Sequence, residues 1–147
     1  MATDILVTAS VQVDASPAVV WDALTNPDMV KKYFFGTDVQ TDWIVGSPIV
    51  FKGDWEGQQY EDKGTILQLE KYRRLVYEYW SSMSNKEDKP ENYSNISYLL
   101  TPKDGGTLLE VTQDNVESEA AREHSESNWN SVLNDLKDLV ENKGKRM

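Results

Sequence analysis

His124 and Ser125 stand side by side in EAAREHSESN, and an imidazole beside a hydroxyl is common material for nucleophilic or acid–base catalysis. His124 is the only histidine of the chain, which excludes HExxH and other multi-histidine metal sites. No serine sits in a G-x-S-x-G turn, and one imidazole at the edge of a helical stripe would have to serve any triad. His124 therefore reads as a rim or solvent-facing residue rather than a catalytic one. The chain has no cysteine, which removes thiol catalysis, cysteine metal ligands and disulfide staples. The densest acidic cluster is Asp54, Glu56, Glu61 and Asp62. Paired carboxylates do acid–base work or hold calcium, but the spacing lacks the D-x-D-x-D-G loop pattern. With Gly57 at its bend, the segment reads as an exposed hairpin with a solvated acidic face. Gly105-Gly106 lies in a tight turn, with no Walker or dinucleotide pattern around it. No catalytic residue, metal or cofactor is assigned.

What remains is a set of aromatic and polar side chains that the elements must bring together. The first segment alternates, with Ile5, Val7, Ala9, Val11 and Val13 on one face of a half-buried strand. Ser16-Pro17 caps and opens a short helix carrying Val20, Trp21 and Leu24, and Asn26-Pro27 stops it and starts a second through Met29, Val30, Tyr33 and Phe34. From about Thr37 to Asn115 the period is mostly two. Gly46-Ser47-Pro48 turns into Ile49-Val50-Phe51, a longer strand runs from about Gly64 to Glu70, and Leu75 to Trp80 follows Arg73-Arg74. Ser82 to Asn92 is polar throughout and reads as an exposed, mobile loop. Ile96, Tyr98 and Leu100 then alternate into the Lys103–Gly106 hairpin and the strand Leu108 to Gln113.

The last helix is expected from a Ser118 N-cap to about Asn142, with Gly144 just beyond. About 25 residues at ~1.5 Å each cross a whole sheet. Its apolar stripe of Trp129, Val132, Leu133, Leu136, Leu139 and Val140 ceases upstream, where the same face holds Ser125, Arg122 and Ala121. Small or polar groups there leave volume that bulky side chains would otherwise fill, which is the sequence trace of a pocket. Keeping Glu78 and Glu110 out of the core puts Tyr77, Tyr79, Ile96, Tyr98, Phe51, Trp55, Leu109, Val111 and Gln113 on the facing side. The candidate ligand-binding residues are Phe51, Trp55, Tyr77, Tyr79, Ile96, Tyr98, Gln113, Ala121, Arg122, Ser125 and Trp129.

The 147 residues suit one domain spanning 1–147, large enough for a core of its own. With 25 acidic against 15 basic side chains, the formal charge is −10, which opposes nucleic-acid binding and anionic lipid surfaces. No secretory signal or membrane-spanning run is apparent, so a soluble cytoplasmic protein without membrane insertion is expected.

The phrases ASPAVVWDALTNPDMVKKYF, residues 15 to 34, and NWNSVLNDLKDLVE, residues 128 to 141, resemble the paired helices and gripping helix of the START/Bet v superfamily. Within it the chain is similar to bacterial proteins resembling the C-terminal domain of the activator of heat-shock protein 90 ATPase. The resemblance covers nearly the entire chain. It implies an α+β helix-grip fold: a curved antiparallel sheet of six or seven strands, two short helices after strand 1, and a long C-terminal helix across the sheet. It also implies a cavity between sheet and helix, often used for a small apolar or amphipathic ligand. The family offers no strict catalytic motif, and fold alone does not fix activity.

Three functional readings follow. The first is a domain, not an enzyme or only weakly so, that holds a small apolar or amphipathic ligand, with Trp129 and Tyr98 as walls and Ser125, Arg122 and Gln113 orienting a polar end. The second is a chaperone ATPase co-activator using its acidic surface or the 82–92 loop. The third is a cyclase- or hydratase-like enzyme drawing on Tyr77, Tyr98, Gln113, Arg122, Ser125 and His124. A monomer or weak homodimer is the expected assembly.

Overall fold

The computed structural model describes residues 5–34, 36–55, 57–81 and 87–145, apart from the side chains at 55 and 142–145. Strand β1 (Val7–Val13) is followed by helices α1 (Pro17–Thr25) and α2 (Pro27–Tyr33), then β2 (Asp38–Thr41), β3 (Pro48–Trp55), β4 (Gln58–Glu70) and β5 (Arg74–Trp80). A 3-10 turn at Pro90–Asn92 leads into β6 (Ser94–Lys103), β7 (Gly106–Gln113) and the long helix α3 (Glu119–Lys145). The seven strands form one antiparallel sheet in the order β1-β7-β6-β5-β4-β3-β2, so the first strand closes beside the last. This is the α+β architecture that the paired helices and the terminal helix imply.

Local chemistry explains the joints. The Ser16 hydroxyl accepts from the Val19 amide at 3.4 Å, and Pro17 occupies the first turn of α1, where its missing N–H costs nothing. Asn26 serves both helices. Its backbone N–H donates to the Asp22 carbonyl at 2.8 Å, and its side-chain oxygen accepts from the Asp28 amide at 3.0 Å. The β6–β7 hairpin turns through Asp104 and Gly105, both at positive φ, 51° and 80°, the signature of a two-residue turn that matches strand twist. Ser118 caps α3, its hydroxyl accepting from the Ala121 amide at 3.1 Å. The helix runs through Gly144 to Lys145, further than its glycine suggests.

Helix α3 buries Trp129, Val132, Leu133, Leu136 and Val140 in the same core as Val7, Val13, Leu109 and Val111. Each such aliphatic side chain contributes about 1.5–3 kcal/mol on burial. A polar clasp fixes the helix along β1: the Lys137 ammonium donates to the Gln12 carbonyl at 2.9 Å and to the Glu141 carboxylate, which accepts the Asp14 amide at 2.9 Å. Among the described residues no helix is long and apolar enough to cross a membrane.

The expected start of β4 differs from the structure. Strand β4 starts at Gln58, six residues before Gly64, because the hairpin bends at Gly57 (φ 82°) and β3 pairs all the way back to Trp55. Of the polar loop expected over Ser82–Asn92, residues 82–86 lie outside the described residues, and 87–91 are exposed.

Within β4 the backbone of β5 approaches Gly64 so closely that an added Cβ would stand 1.6 Å from the Glu78 carbonyl oxygen. Alanine in extended backbone ordinarily gains a few tenths of a kcal/mol over glycine, but here the strands must part. Gly64→Ala is expected to destabilise the protein by about 3 kcal/mol or more. Urea denaturation reads this directly, and an unchanged midpoint would contradict the packing described.

Candidate functional site

Upstream of Trp129 the inward face of α3 carries Ser125 and Asn128 in place of large apolar groups, with Val132 below them and His124 exposed at the rim. A half-open cavity of about 700 Å³ separates this face from the sheet. From the strand side it is lined by Phe51 on β3, Tyr60 and Asp62 on β4, Tyr77 and Tyr79 on β5, Ile96 on β6 and Gln113 on β7. Phe34 and Thr37, after α2, close one side, and Ser81 follows β5. The volume falls within the usual range for small-molecule sites.

The apolar part of the wall belongs to a continuous run of rings, joined behind the cavity surface by Tyr98. Phe34 meets Trp129 edge-on at 6.0 Å between centroids, Trp129 meets Tyr98 at 5.9 Å, and Tyr98 meets Tyr77 at 5.9 Å. Tyr77 then meets Phe51 at 5.5 Å, and Phe51 meets Tyr79 edge-on at 5.5 Å. Such tilted and edge-to-face pairs add about 0.5–1.5 kcal/mol each beyond area burial. They also hold one another's orientation.

Polar groups gather at both ends of this run. At the α3 end the Trp129 indole N–H donates to the Gln113 amide oxygen at 2.9 Å, tying helix to last strand. At the β4 end the Tyr79 hydroxyl donates to Asp62 at 2.5 Å, and the Thr37 and Tyr60 hydroxyls are hydrogen-bonded to each other at 2.5 Å. Asp62 is 7% exposed and directly opposite Phe51 in the β3–β4 register. Gly53 makes room for Tyr60: a Cβ there would meet its hydroxyl at 2.5 Å.

Ionisation follows the burial. Desolvation raises the Tyr79 hydroxyl well above its ordinary value, and the charge and hydrogen bond of Asp62 push the same way. Burial likewise raises Tyr33 and Tyr77, each further disfavoured by the neighbouring Tyr98. Tyr98 is raised by its own burial, against a partial lowering by the 2.9 Å hydrogen bond with Tyr77.

Of the residues singled out from the sequence, Phe51, Tyr77, Tyr79, Ile96, Gln113, Ser125 and Trp129 come together around the cavity. Tyr98 stands behind Tyr77 and Trp129 and lines instead an adjoining void of about 20 Å³, room for one water-sized sphere. Ala121 packs partly buried against the core without reaching the cavity. Arg122 also stays outside it, because Glu119 and Glu126 on the same helix face hold the guanidinium at 2.7 and 2.8 Å. The Trp55 side chain and Glu56 lie outside the described residues.

Asp62 corrects the reading of the acidic segment. Glu61 is exposed and 3.6 Å from Lys52, as a solvated face requires, but Asp62 points into the cavity. Neither Asp62 nor Tyr60 stands out in the sequence, because alternation alone does not mark the start of β4 at Gln58. The period-two frame through Ile66 and Gly64, carried back two further steps, reaches both. Phe34, Thr37, Ser81 and Asn128 were missed as lining because they stand at element ends or between stripe positions. Among the described residues no three His, Asp or Glu side chains converge as a metal site would need.

The buried phenols yield a pH prediction. Tyr33, Tyr77, Tyr79 and Tyr98 bind their protons more tightly folded than unfolded, so their contribution to stability is complete below about pH 10 and is lost as pH rises above it. The unfolding midpoint is expected to fall steeply above about pH 10, with tyrosinate absorbance near 295 nm from these four appearing only as the chain unfolds. Their full ionisation while the near-ultraviolet dichroism stays native would contradict this.

With this geometry in place, the chain can be set beside known proteins. The family described as Activator of Hsp90 ATPase homolog 1-like protein matches residues 14–141. The solution structure of ChR145 from Cytophaga hutchinsonii is 44% identical, with a TM-score of 0.84 over 99% of each chain. Protein MLL2253 from Mesorhizobium loti is 22% identical, with a TM-score of 0.76 over 94% of this chain and 98% of its own. The Aha1 dimer from Colwellia psychrerythraea is also 22% identical, with a TM-score of 0.73 over 92% of this chain and 96% of its own. The latter two speak for the fold alone. No curated protein matches the chain.

Proposed function

The chain belongs to the Activator of Hsp90 ATPase homolog 1-like family, and from that premise we propose that it binds a small, ring-bearing amphipathic molecule in the cavity beneath α3. The observation that carries this reading is the half-open volume of about 700 Å³, whose aromatic wall runs between two groups of hydrogen-bonding side chains. The rings take the apolar body. Gln113, Ser125 and Asn128 face one end of the ligand, and Asp62, Tyr79 and Thr37 the other.

An enzymatic use of the same space has one geometric point in its favour, the buried Tyr79–Asp62 pair. Burial and the neighbouring Asp62 raise the Tyr79 hydroxyl above its ordinary range, so it stays protonated near neutral pH and acts as the donor to Asp62. Binding without turnover is the better-supported reading.

Filling the cavity from the helix side separates binding from folding. Ser125→Trp is expected to weaken binding of prodan, a neutral amphipathic naphthalene dye, by at least about tenfold, while the thermal midpoint stays close to that of the parent. Fluorescence titration gives the affinity, and circular dichroism the folding. Unchanged affinity in a folded variant would sink the proposal. Native mass spectrometry beside a denatured sample tests for a co-purified natural ligand.

The family description favours a second reading, a chaperone contact. Ile44 and Val45, 63% and 56% exposed, stand on the β2–β3 turn, which backbone bonds from Gly46 and Ile66 hold beside the exposed Leu67. If this knob is the contact, the protein stimulates Hsp90 ATPase and Ile44→Asp abolishes the effect. No stimulation at high molar excess would end this reading.

A further inference from the structure

The outer face of the sheet carries an arginine whose Nε has no partner. On β5, β6 and β7 the inward side chains Leu75, Tyr77, Tyr98, Leu100, Leu109 and Val111 are buried in the core with the helices. Period two turns the residues between them to the opposite face, where Arg74, Val76, Ser97, Leu99, Glu110 and Thr112 stay part-exposed. The Arg74 Nε is nonetheless buried, with no hydrogen-bond partner. Its cross-strand neighbour on β4, Glu70, is already engaged, by Arg73 at 2.6 Å and by Gln68 at 2.7 Å. A half-buried guanidinium short of an acceptor is costly, so a carboxylate brought from outside the chain has more to offer here than at an exposed arginine.

The strand register points to where that carboxylate comes from. Arg74 pairs with Leu99 and Leu99 with Glu110, so cation, apolar side chain and anion follow one another in a single row across three strands. Two strand spacings of about 4.8 Å separate the charges, with Leu99 between them. Such a row is self-complementary. Turned about a two-fold axis running along β6 at Leu99, it lays Leu99 on Leu99 and each arginine on the other copy's glutamate. The next row, Val76, Ser97 and Thr112, is uncharged and lets two sheets approach to the usual spacing of about 10 Å. Because Arg74 and Glu110 cancel, two copies of formal charge −10 meet at this row with little repulsion from the contact itself.

We propose that a second copy of this chain docks on this face, the sheets stacking through β5, β6 and β7 with Arg74 of each protomer paired to Glu110 of the partner subunit. Two ion pairs around a small apolar centre make a weak, reversible dimer rather than an obligate one. The cavity lies on the inner side of the sheet, so the assembly leaves it open and does not depend on the cavity reading.

Sedimentation velocity of the intact protein at low salt, from about 10 μM to about 1 mM, reads the association. The parent is expected to pass from monomer toward dimer across this range, and Arg74→Glu and Glu110→Arg each to weaken the dimer at least about tenfold. The double variant restores both pairs with their signs exchanged and is expected within about threefold of the parent. The single variants move the net charge in opposite directions and the double leaves it unchanged, so weakening in both singles reports the pairing rather than general repulsion. A comparison that needs no variant comes from the amide NMR shifts of the parent, expected to move with concentration at Val76, Ser97, Leu99 and Thr112 and to stay fixed on β2 and α2. A parent still monomeric at about 1 mM, or one whose shifts move on another surface, overturns the proposal. So does a double variant that is folded by circular dichroism yet associates as weakly as the singles.

Discussion

The seat of α3 on the sheet is the constraint on which the rest of the molecule depends. Its C-terminal half is held by apolar burial of Leu133, Leu136 and Val140, and by the Lys137–Glu141 clasp on the β1 backbone. The Trp129–Gln113 bond marks where that dense packing ends. A helix is rigid over such a span, so fixing one half fixes the height of the other half above the sheet. Ser125 and Asn128 are then too short to reach the strands opposite them. The cavity results from a well-anchored helix carrying small side chains on its upstream turns, and the long chain excursion from β1 to β7 serves to bring the anchoring strands together.

Access decides what this volume contains. The cavity of about 700 Å³ is half-open, so water reaches it without crossing the core. The space therefore holds solvent or a guest. Its polar lining permits this, since Asp62, Tyr60, Thr37, Ser81, Gln113 and Asn128 can hydrogen-bond to water that a purely apolar chamber would exclude. The adjoining void of about 20 Å³ is a different case, framed by Leu24, Val30, Val39 and Ile49 and small enough for the core to tolerate.

Much of this was legible in the residues. Alternation located β1, β6 and β7; Ser16-Pro17 and Asn26-Pro27 located the helix pair; Asp104-Gly105 located the last hairpin. The change from Trp129 to Ser125 along one helical face pointed to the cavity, because a stripe that loses bulk without losing its helix implies unfilled volume. Three things were not legible. Period alone gives a strand's face but not its start, so β4 appeared to begin at Gly64 and Asp62 fell into a loop. A helical wheel places Arg122 toward the sheet, yet it cannot weigh Glu119 and Glu126, which hold the guanidinium on their own helix. Inward parity made Tyr98 a wall, whereas depth, which parity does not encode, places it behind Tyr77 and Trp129.

The position of Asp62 shows why a buried carboxylate can persist in such a place. A carboxylate moved from water to an apolar interior faces a penalty of several kcal/mol, which hydrogen bonds such as that from Tyr79 offset in part. Were stability alone at stake, an apolar residue opposite Phe51 would serve β4 better. The register makes the choice sharper: Ile66, Gly64, Asp62 and Tyr60 share one face of the strand, and the face turns from apolar to polar as it leaves the dense core and reaches the cavity. The polarity thus follows the accessible volume rather than the sheet. A charge placed where guests or water enter is stabilised by whatever enters, and its cost is carried by the anchored half of α3 and the core beneath it.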